Sequence, residues 1–391
     1  MPNSEFDRIT RLPPYVFSTI NEKKYALRSS NVDIIDLGMG NPDQPTPKFI
    51  IDKLAEAATK GKNHRYSMSK GIYKLRLALT DWYKRRFNVV LDPNKEVVTT
   101  IGSKEGLAHL MLAMLDRGDS ILVPNPTYPI HTYAAVISGA NVQHISMPEN
   151  EVEFFENIKR GFESSWPKPK LILTCFPSNP TAYTASLDFF KELVAFAKKK
   201  DVWIVNDQAY AELTFEGDPV SILQVKGAKD VAIEFYTLSK TYNMAGWRVG
   251  FGSGNEKLVG ALTKLKSYLD YGMFQPIQIA ATVALNEGDK YIPEIRAMYQ
   301  KRRDVLIKGL NDQGWNLESP KASMFVWAKI PDFSPTQKSL EFTSQALEHA
   351  HVAFSPGIGF GSEGEGFVRI ALVENEKRIR QALRNLKGWM K

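Results

Sequence analysis

Residues 236–251 read YTLSKTYNMAGWRVGF and place one lysine, Lys240, just after an apolar run. The residues before it, 231–236, read VAIEFY and predict a buried strand. Because an ammonium group at the end of a buried strand is costly, we expect burial to lower the pKa of Lys240 and make its amine nucleophilic. A desolvated lysine amine attacks carbonyls, most often as a Schiff base with an aldehyde cofactor. A lysine in isolation, however, is more often a solvated surface residue.

The composition is that of a soluble globular protein rather than a nucleic-acid or membrane protein. The length of 391 residues suggests two domains, and 43% hydrophobic with 24% charged residues is ordinary for such proteins. The net charge of +7 is spread along the chain, which favours anionic small molecules over nucleic acid. The single cysteine, Cys175, excludes an intrachain disulfide and a zinc cluster, and we predict no metal site. Without a signal peptide or an apolar window of about 18 residues, we expect a cytoplasmic protein with no membrane partner.

Strand-like and helix-like segments alternate between residues 97 and 252. Several of the strand candidates are continuous apolar runs, which are typical of strands covered on both faces. The alternation predicts an α/β fold with a mostly parallel sheet covered by helices, and ligands bind at the carboxyl ends of such strands. The candidates are Val97–Ile101, Ser120–Val123, Asn141–Ile145, Leu171–Phe176, Val202–Val205, Ala232–Leu238 and Val249–Gly252.

The rest of the chain predicts a second, smaller α+β domain. Short strands at Met324–Lys329 and Phe367–Leu372 mix with helical patterns around Ser339–Ala350 and Glu376–Lys387. We therefore divide the chain into 1–45, an N-terminal arm with part of the small domain, 46–285, the large domain, and 286–391, the C-terminal small α+β domain.

Polar side chains follow successive strand candidates of the large domain. Ser103 suits a helix N-cap, and the same helix start could hold a phosphate. Tyr128 could stack on a planar ring or simply pack, and Asn179 could donate to a phenolate-like oxygen or belong to a generic Asn-Pro turn. Asp207, with Tyr210 three residues on, would need a cationic partner if it is buried, although it could also begin a helix.

Together these residues and the segment SKTYNMAGWR resemble the fold-type I (class I/II) pyridoxal-phosphate aminotransferases over essentially the whole chain. The resemblance implies pyridoxal 5′-phosphate as cofactor, with Lys240 as the Schiff-base lysine and proton shuttle. It implies Asp207 on the pyridine nitrogen, where it keeps the ring an electron sink, and Tyr210 with Asn179 on the ring oxygen. The implied phosphate ligands are Ser103, the Lys104 backbone, Thr237, Ser239 and Arg248.

The same resemblance implies a substrate site and a homodimer. Arg369 would clamp the α-carboxylate through a bidentate pair, assisted by the Gly40 backbone N–H and by Asn179. The glycines of residues 38–43, GMGNPD, permit close backbone approach, although a plain turn explains them equally well. Tyr128 would stack on the cofactor ring, and Tyr66 would reach the phosphate of the neighbouring subunit. Tyr15 would line the substrate site or pack the arm on the dimer.

Four segments resemble the branch that contains bacterial glutamate–pyruvate (alanine) aminotransferases and LL-diaminopimelate aminotransferases. They are LPPY at 12–15, IGSKEG at 101–106, TYNMAGWR at 241–248 and PGIGFG at 356–361. The segment FPSNPTA at 176–182 favours the alanine side, so we expect ping-pong transamination between alanine and 2-oxoglutarate.

The residues leave two alternative reactions open and disfavour two other classes of protein. The LL-diaminopimelate reaction and a pyridoxal-phosphate β-lyase of the same fold remain alternatives. A DNA-binding regulator is disfavoured, because the first 40 residues are too short for a helix-turn-helix domain and linker. An inactive scaffold is disfavoured because Lys240, Asp207 and Arg369 are all present. The sequence identifies no group for the distal carboxylate of glutamate.

Overall fold

The computed structural model describes residues 6–148 and 150–390, so the first five residues of the predicted arm lie outside it. The strands of this part of the chain are β1 Ile35–Asp36, β2 Val97–Thr100, β3 Ser120–Asn125, β4 Asn141–Ser146, β5 Leu171–Cys175, β6 Trp203–Asp207, β7 Ala232–Thr237, β8 Gly250–Gly254, β9 Phe325–Lys329, β10 Val352–Ala353, β11 Ser355–Pro356 and β12 Phe367–Ala371.

The α-helices alternate with these strands in the first two thirds of the chain and frame them in the last third. They are α1 Asp7–Thr10, α2 Val16–Ser29, α3 Lys48–Ala58, α4 Tyr73–Phe87, α5 Ser103–Met114, α6 Pro129–Ser138, α7 Glu151–Ser164, α8 Leu187–Lys200, α9 Leu238–Thr241, α10 Glu256–Leu269, α11 Gln275–Glu287, α12 Ile292–Asn311, α13 Ser339–Ala350 and α14 Glu376–Trp389.

Seven of these strands form the large sheet, in the order β2-β8-β7-β6-β5-β3-β4. Each contains or overlaps one of the seven predicted segments, with ends that shift by a few residues. The pairs from β7 through β6, β5 and β3 to β4 are parallel, while β8 is antiparallel to both of its neighbours. The predicted mostly parallel α/β fold is confirmed.

Apolar strands covered on both faces build two cores around this sheet. On β3, Ile121 and Val123 belong to the cluster that includes residues of α5 and α10, while Leu122 belongs to the cluster on α3, α4, α7, α8 and α11. Adjacent strand residues point to opposite faces, so a continuous apolar run feeds both cores at once. The edge strand β4 is mostly exposed, with Ile145 as its one buried residue, and its sequence is a mixed polar segment.

A second body packs against the large sheet. Its strands are the antiparallel set β11-β12-β9 and the parallel pair β1-β10, which draws a segment from near the N-terminus into the C-terminal part. Its core joins Ile35 and Leu37 to residues of α12, α13 and α14. Ile292 still belongs to the hydrophobic core of the large sheet, whereas Ile295 belongs to the core of the second body. The domain boundary near residue 285 stays a prediction.

The direction of β8 determines which side chains can meet. Thr237, at the carboxyl end of β7, pairs with Gly250, at the start of β8. Arg248 therefore lies at the amino end of its strand, and not at a carboxyl end as its place in the predicted series implied. Because β8 runs against the others, Arg248 nevertheless reaches the edge where β5, β6 and β7 end.

We expect the stacked aromatic group beneath this edge to carry a large share of the stability. Trp82 on α4 is fully buried and stacks on Tyr236 of β7, with ring centroids 4.3 Å apart. Trp82→Ala should lower the free energy of unfolding by about 3–5 kcal/mol, since it leaves a large cavity. Tyr25→Ala, at an aromatic residue that is 77% exposed, should change it by less than about 0.5 kcal/mol. Urea denaturation followed by circular dichroism measures both, and equal midpoints would contradict the assignment.

Candidate active site

One cavity of about 240 Å³ opens between the carboxyl edge of the large sheet and the second body. Its wall includes every predicted site residue except one: Tyr15, Gly40, Ser103, Lys104, Tyr128, Asn179, Asp207, Tyr210, Thr237, Ser239, Lys240, Arg248 and Arg369. The exception is Tyr66, which is 92% exposed and has its ring 5.6 Å from that of Tyr271.

Lys240 lies in α9, the short helical turn that follows β7. Its Nζ donates to the carbonyl of Gly40 at 2.6 Å. Burial, and then the positive charges of Arg369 and Arg248, lower the pKa of Lys240 to about 7. A lysine with such a pKa is largely neutral at slightly alkaline pH, and a neutral amine is a nucleophile and a proton acceptor. The lowered pKa of Lys240 agrees with the direction expected from its position after a buried strand.

Asp207 ends β6 and is buried beneath the cavity. Its Oδ2 accepts from His131 Nε2 at 3.0 Å, and His131 Nδ1 lies 2.7 Å from the Thr127 hydroxyl. Residues 208–213 form turns rather than a helix, so the alternative of a helix-starting aspartate is wrong. His131 is the partner that the sequence reasoning missed. The sequence signal that could have identified His131 is its position three residues after Tyr128, close to the end of β3.

Arg369 lies on β12 and is almost completely buried. Its Nη1 donates to Asn179 Oδ1 at 2.8 Å, and its Nη2 donates to the carbonyl of Gly38 at 2.9 Å. The guanidinium carbon is 4.1 Å from the ring centroid of Phe325 and 4.7 Å from that of Phe360. Burial lowers the pKa of Arg369 to about 10, so it stays charged at neutral pH. Neither phenylalanine was predicted to be a site residue, although Phe360 lies in the segment PGIGFG at 356–361.

No carboxylate among residues 6–148 and 150–390 forms an ion pair with Arg369, and its Nε has no hydrogen-bond partner in this part of the chain. Neutral acceptors and aromatic faces hold the cation instead. A buried cation held in this way can accept a carboxylate ligand through a bidentate pair.

Tyr210 and Asn179 form a pair of neutral hydrogen-bonding groups in the same cavity. The Asn179 amide donates to the Tyr210 hydroxyl at 3.4 Å. Burial raises the pKa of Tyr210 well above its ordinary value, so the phenol keeps its proton. The Tyr128 ring lies in the wall, with Lys104 Nζ 5.8 Å from its centroid.

The start of α5 and Arg248 form a second positive region of the cavity. Gly102 has a φ of +81°, and a Cβ there would lie 2.3 Å from Arg248 Nη2. A Cβ on Gly250 would lie 2.5 Å from the backbone nitrogen of Ser103. Two glycines thus bring a guanidinium against the free N–H groups of a helix start, which favours an anion such as a phosphate. The hydroxyls of Thr237 and Ser239, 2.8 Å apart, also line this cavity.

One prediction at this helix start is wrong in detail. Gly102, rather than Ser103, occupies the N-cap position of α5, and Ser103 is the first helical residue. The backbone needs the positive φ of Gly102 to turn from β2 into the helix, and a serine tolerates that conformation poorly. Ser103 still lines the cavity.

Comparisons with known proteins agree over nearly the whole chain. The model of the family described as aminotransferase class I and II matches residues 32–386. The chain is 53% identical over 391 residues, 100% of this chain and 95% of the relative, to the glutamate-pyruvate aminotransferase AlaC of Escherichia coli strain K12. It is 46% identical over 379 residues, 96% of this chain and 97% of the relative, to the LL-diaminopimelate aminotransferase of Maridesulfovibrio salexigens.

Solved structures agree in fold. A substrate-bound BacF structure from Bacillus subtilis matches with a TM-score of 0.91 at 34% identity, covering 99% of this chain and 98% of that chain. A single mutant of Thermus thermophilus aspartate aminotransferase matches with a TM-score of 0.91 at 25% identity, covering 99% and 100%. The similarity therefore includes both bodies of the structure.

The pKa of Lys240 leads to a pH prediction on the cofactor-free protein. Its labelling by an amine-acylating reagent should rise with pH about a midpoint near 7, because only the neutral amine reacts. Arg248→Met should move the midpoint upward by removing a nearby positive charge, whereas Arg160→Gln on the exposed side of α7 should not. Peptide mass spectrometry reads the labelled fraction. A wild-type midpoint near the ordinary lysine value of about 10.4 would overturn the burial argument.

Proposed function

Because the chain belongs to the class I and II aminotransferase family, we propose that it transfers the amino group of alanine to 2-oxoglutarate in a ping-pong reaction. As a member of this family it is a pyridoxal 5′-phosphate-dependent transaminase acting on amino acids and 2-oxo acids. The observation that carries the proposal is the composition of the cavity. It unites an amine of low pKa, a buried aspartate and a buried arginine that has no carboxylate partner among the described residues.

The cavity walls fit the cofactor at each of its polar groups. The helix start at Ser103, with Lys104, Thr237, Ser239 and Arg248, would hold the phosphate, because these residues supply free N–H groups, hydroxyls and a cation. Asp207 would pair with the pyridine nitrogen. Tyr210 and Asn179 would donate to the ring oxygen, and Tyr128 would cover the ring face. When bound, pyridoxal 5′-phosphate supplies an aldehyde that takes up the amino group and a ring that withdraws electrons.

The protein's own residues bind the substrate and move one proton. Arg369 would bind the α-carboxylate with Gly40, since its guanidinium is buried, charged and without a carboxylate partner in the described chain. Lys240 Nζ would accept the proton from the substrate α-carbon and donate it to the cofactor carbon that carried the aldehyde, and it would move a proton the opposite way in the other half-reaction, as its pKa near 7 permits both. His131 would hold Asp207 in position through its 3.0 Å contact.

The amino donor rests on the comparisons rather than on a side chain. The 53% identity to AlaC supports alanine, while the 46% identity to an LL-diaminopimelate aminotransferase supports that amino acid as the alternative donor. None of the helices in residues 6–148 and 150–390 combines the length and apolar character that a bilayer crossing requires. The cytoplasmic location stays a prediction.

We also propose a homodimer in which Tyr66 completes the neighbouring site. Tyr66, 92% exposed, has its ring 5.6 Å from that of Tyr271, 61% exposed, and Phe274, 47% exposed, has its ring 6.1 Å from that of His64. Monomeric proteins seldom expose several large aromatic residues side by side. A second copy of the chain is the occupant that the resemblance to the family implies.

A donor panel tests the reaction. Alanine, LL-diaminopimelate and a cysteine conjugate are each supplied with and without 2-oxoglutarate, and kcat/KM should be highest for alanine and require the acceptor. Lys240→Ala should lose the visible absorbance of the bound cofactor and at least ~10³-fold in turnover, because it removes the proton-transfer group. Lys48→Ala, whose side chain is 84% exposed, should leave both unchanged. A preference for LL-diaminopimelate would replace alanine as donor. Sustained pyruvate release from the cysteine conjugate without acceptor would indicate a β-lyase, since transamination of alanine without acceptor stops after one equivalent.

Subunit mixing tests Tyr66. Tyr66→Ala and Lys240→Ala should each be weakly active alone, while a random mixture should recover about one quarter of wild-type activity, since each hybrid dimer has one intact site. Tyr268→Ala, at a tyrosine that is 82% exposed, should retain activity without mixing. If mass spectrometry verifies hybrid dimers and mixing still restores no activity, Tyr66 does not act in the neighbouring subunit's site.

A further inference from the structure

We propose that Arg302 and Asp43 are positioning residues that hold the loop of residues 38–43 against Arg369 and thereby set the affinity for the substrate α-carboxylate. The inference rests on the proposed function, because the carboxylate is the substrate's. Arg302, on α12, is 2% exposed. Its Nη1 lies 2.6 Å from Asp43 Oδ1 and its Nη2 lies 2.8 Å from Asp43 Oδ2, a bidentate pair.

The loop held by Asp43 presents two carbonyls to the cations of the cavity. The carbonyl of Gly38 accepts from Arg369 Nη2 at 2.9 Å, and that of Gly40 accepts from Lys240 Nζ at 2.6 Å. Ser355 Oγ also donates to the Gly38 carbonyl, at 2.8 Å. A small movement of this loop therefore changes the surroundings of both cations.

The loop also packs closely on an aromatic ring of the site. A Cβ on Gly40 would lie 2.6 Å from the Phe325 ring, which is the ring that faces the Arg369 guanidinium. Gly40 therefore fits between the cavity and the Phe325 ring only while the loop of residues 38–43 keeps its present conformation.

Arg302 joins this loop to the strand that carries Arg369. Besides Asp43, its Nη1 donates to the carbonyl of Leu372 at 3.0 Å, directly after β12. The backbone of Ala371 donates to the carbonyl of Leu37 at 2.7 Å, just before the loop. One buried guanidinium therefore contacts both segments that form the carboxylate-binding side of the cavity.

The chemistry of the pair requires arginine. Burial opposes the charge of Asp43, yet hydrogen bonds from Arg302 and Gln44 bring the pKa of Asp43 below its ordinary value, so the pair is ionic at neutral pH. A lysine keeps the charge but cannot form two parallel hydrogen bonds together with a third to Leu372. Phosphate-side residues such as Ser103 and Arg248 lie on other elements, and no hydrogen bond joins them to Arg302 within the described chain.

The test compares two Arg–Asp pairs in the purified holoenzyme. Arg302→Lys and Asp43→Asn should raise KM for the amino acid, and Kd for the unreactive carboxylate propionate, by ~10-fold or more, since misplacing a binding group by about 1 Å has effects of this order. The change in kcat should stay below ~3-fold, and the visible absorbance of bound cofactor should be retained. Because the two residues act as one unit, the double variant should resemble the single ones.

The matched control is the pair of Arg378 on α14 and Asp33. It is also bidentate, with both distances 2.7 Å, and it joins another C-terminal helix to the chain just before β1, whereas Asp43 follows β1. In the described part of the chain no hydrogen bond or ion pair joins this pair to the loop of residues 38–43, so Arg378→Lys and Asp33→Asn should leave KM and propionate binding unchanged.

The outcomes separate this inference from the proposed function. A wild-type enzyme without transaminase activity refutes the proposed function. An active wild type with Arg302→Lys and Asp43→Asn indistinguishable from the control variants overturns the positioning role. If Arg302→Lys folds poorly in a thermal melt, Asp43→Asn decides, because the Asp43 side chain is 27% exposed and its amide retains one acceptor oxygen. Equal losses in propionate binding and in cofactor absorbance would also overturn it.

Discussion

The antiparallel pairing of β8 with β7 is the constraint on which the site depends. Its register sets Thr237 opposite Gly250, so the end of one strand lies beside the start of the next. Lys240 follows the first and Arg248 precedes the second, and both therefore reach one cavity. In an all-parallel sheet the start of β8 would lie at the opposite edge. The same arrangement adds the charge of Arg248 to the burial that lowers the pKa of Lys240.

Neutral groups compensate the buried charge of Arg369, and a histidine contacts the buried Asp207. Arg369 is held by an amide oxygen, a carbonyl and two aromatic faces. Asp207 is held by His131, whose second nitrogen meets the Thr127 hydroxyl. Compensation by dipoles lowers the cost of burying a charge but leaves it free to pair with a ligand of opposite sign. This is the property that recognition of a carboxylate and a ring nitrogen requires.

The two bodies of the structure contribute different parts of the cavity. The large sheet brings Asp207, Lys240 and the helix start at Ser103, while the second body brings Arg369 on β12. The loop of residues 38–43 runs between them, and the buried pair of Arg302 and Asp43 holds it. The proposed carboxylate site and the proposed phosphate site therefore rest on different elements, and we expect their affinities to change independently.

By itself, the sequence determined the fold class and segments that overlap all seven strands of the large sheet, because apolar runs are local signals. Strand-end positions, together with the resemblance to the family, also identified half of the residues that line the cavity. The tertiary structure alone decided that Gly102 caps α5, that β8 is antiparallel, and that His131 meets Asp207 across 76 residues and Arg302 meets Asp43 across 259. Phe325 and Phe360 likewise became part of the site only through packing on Arg369. Contacts between distant segments leave no periodicity in the chain, since they arise only when the sheet order and the packing of the two bodies bring those segments together.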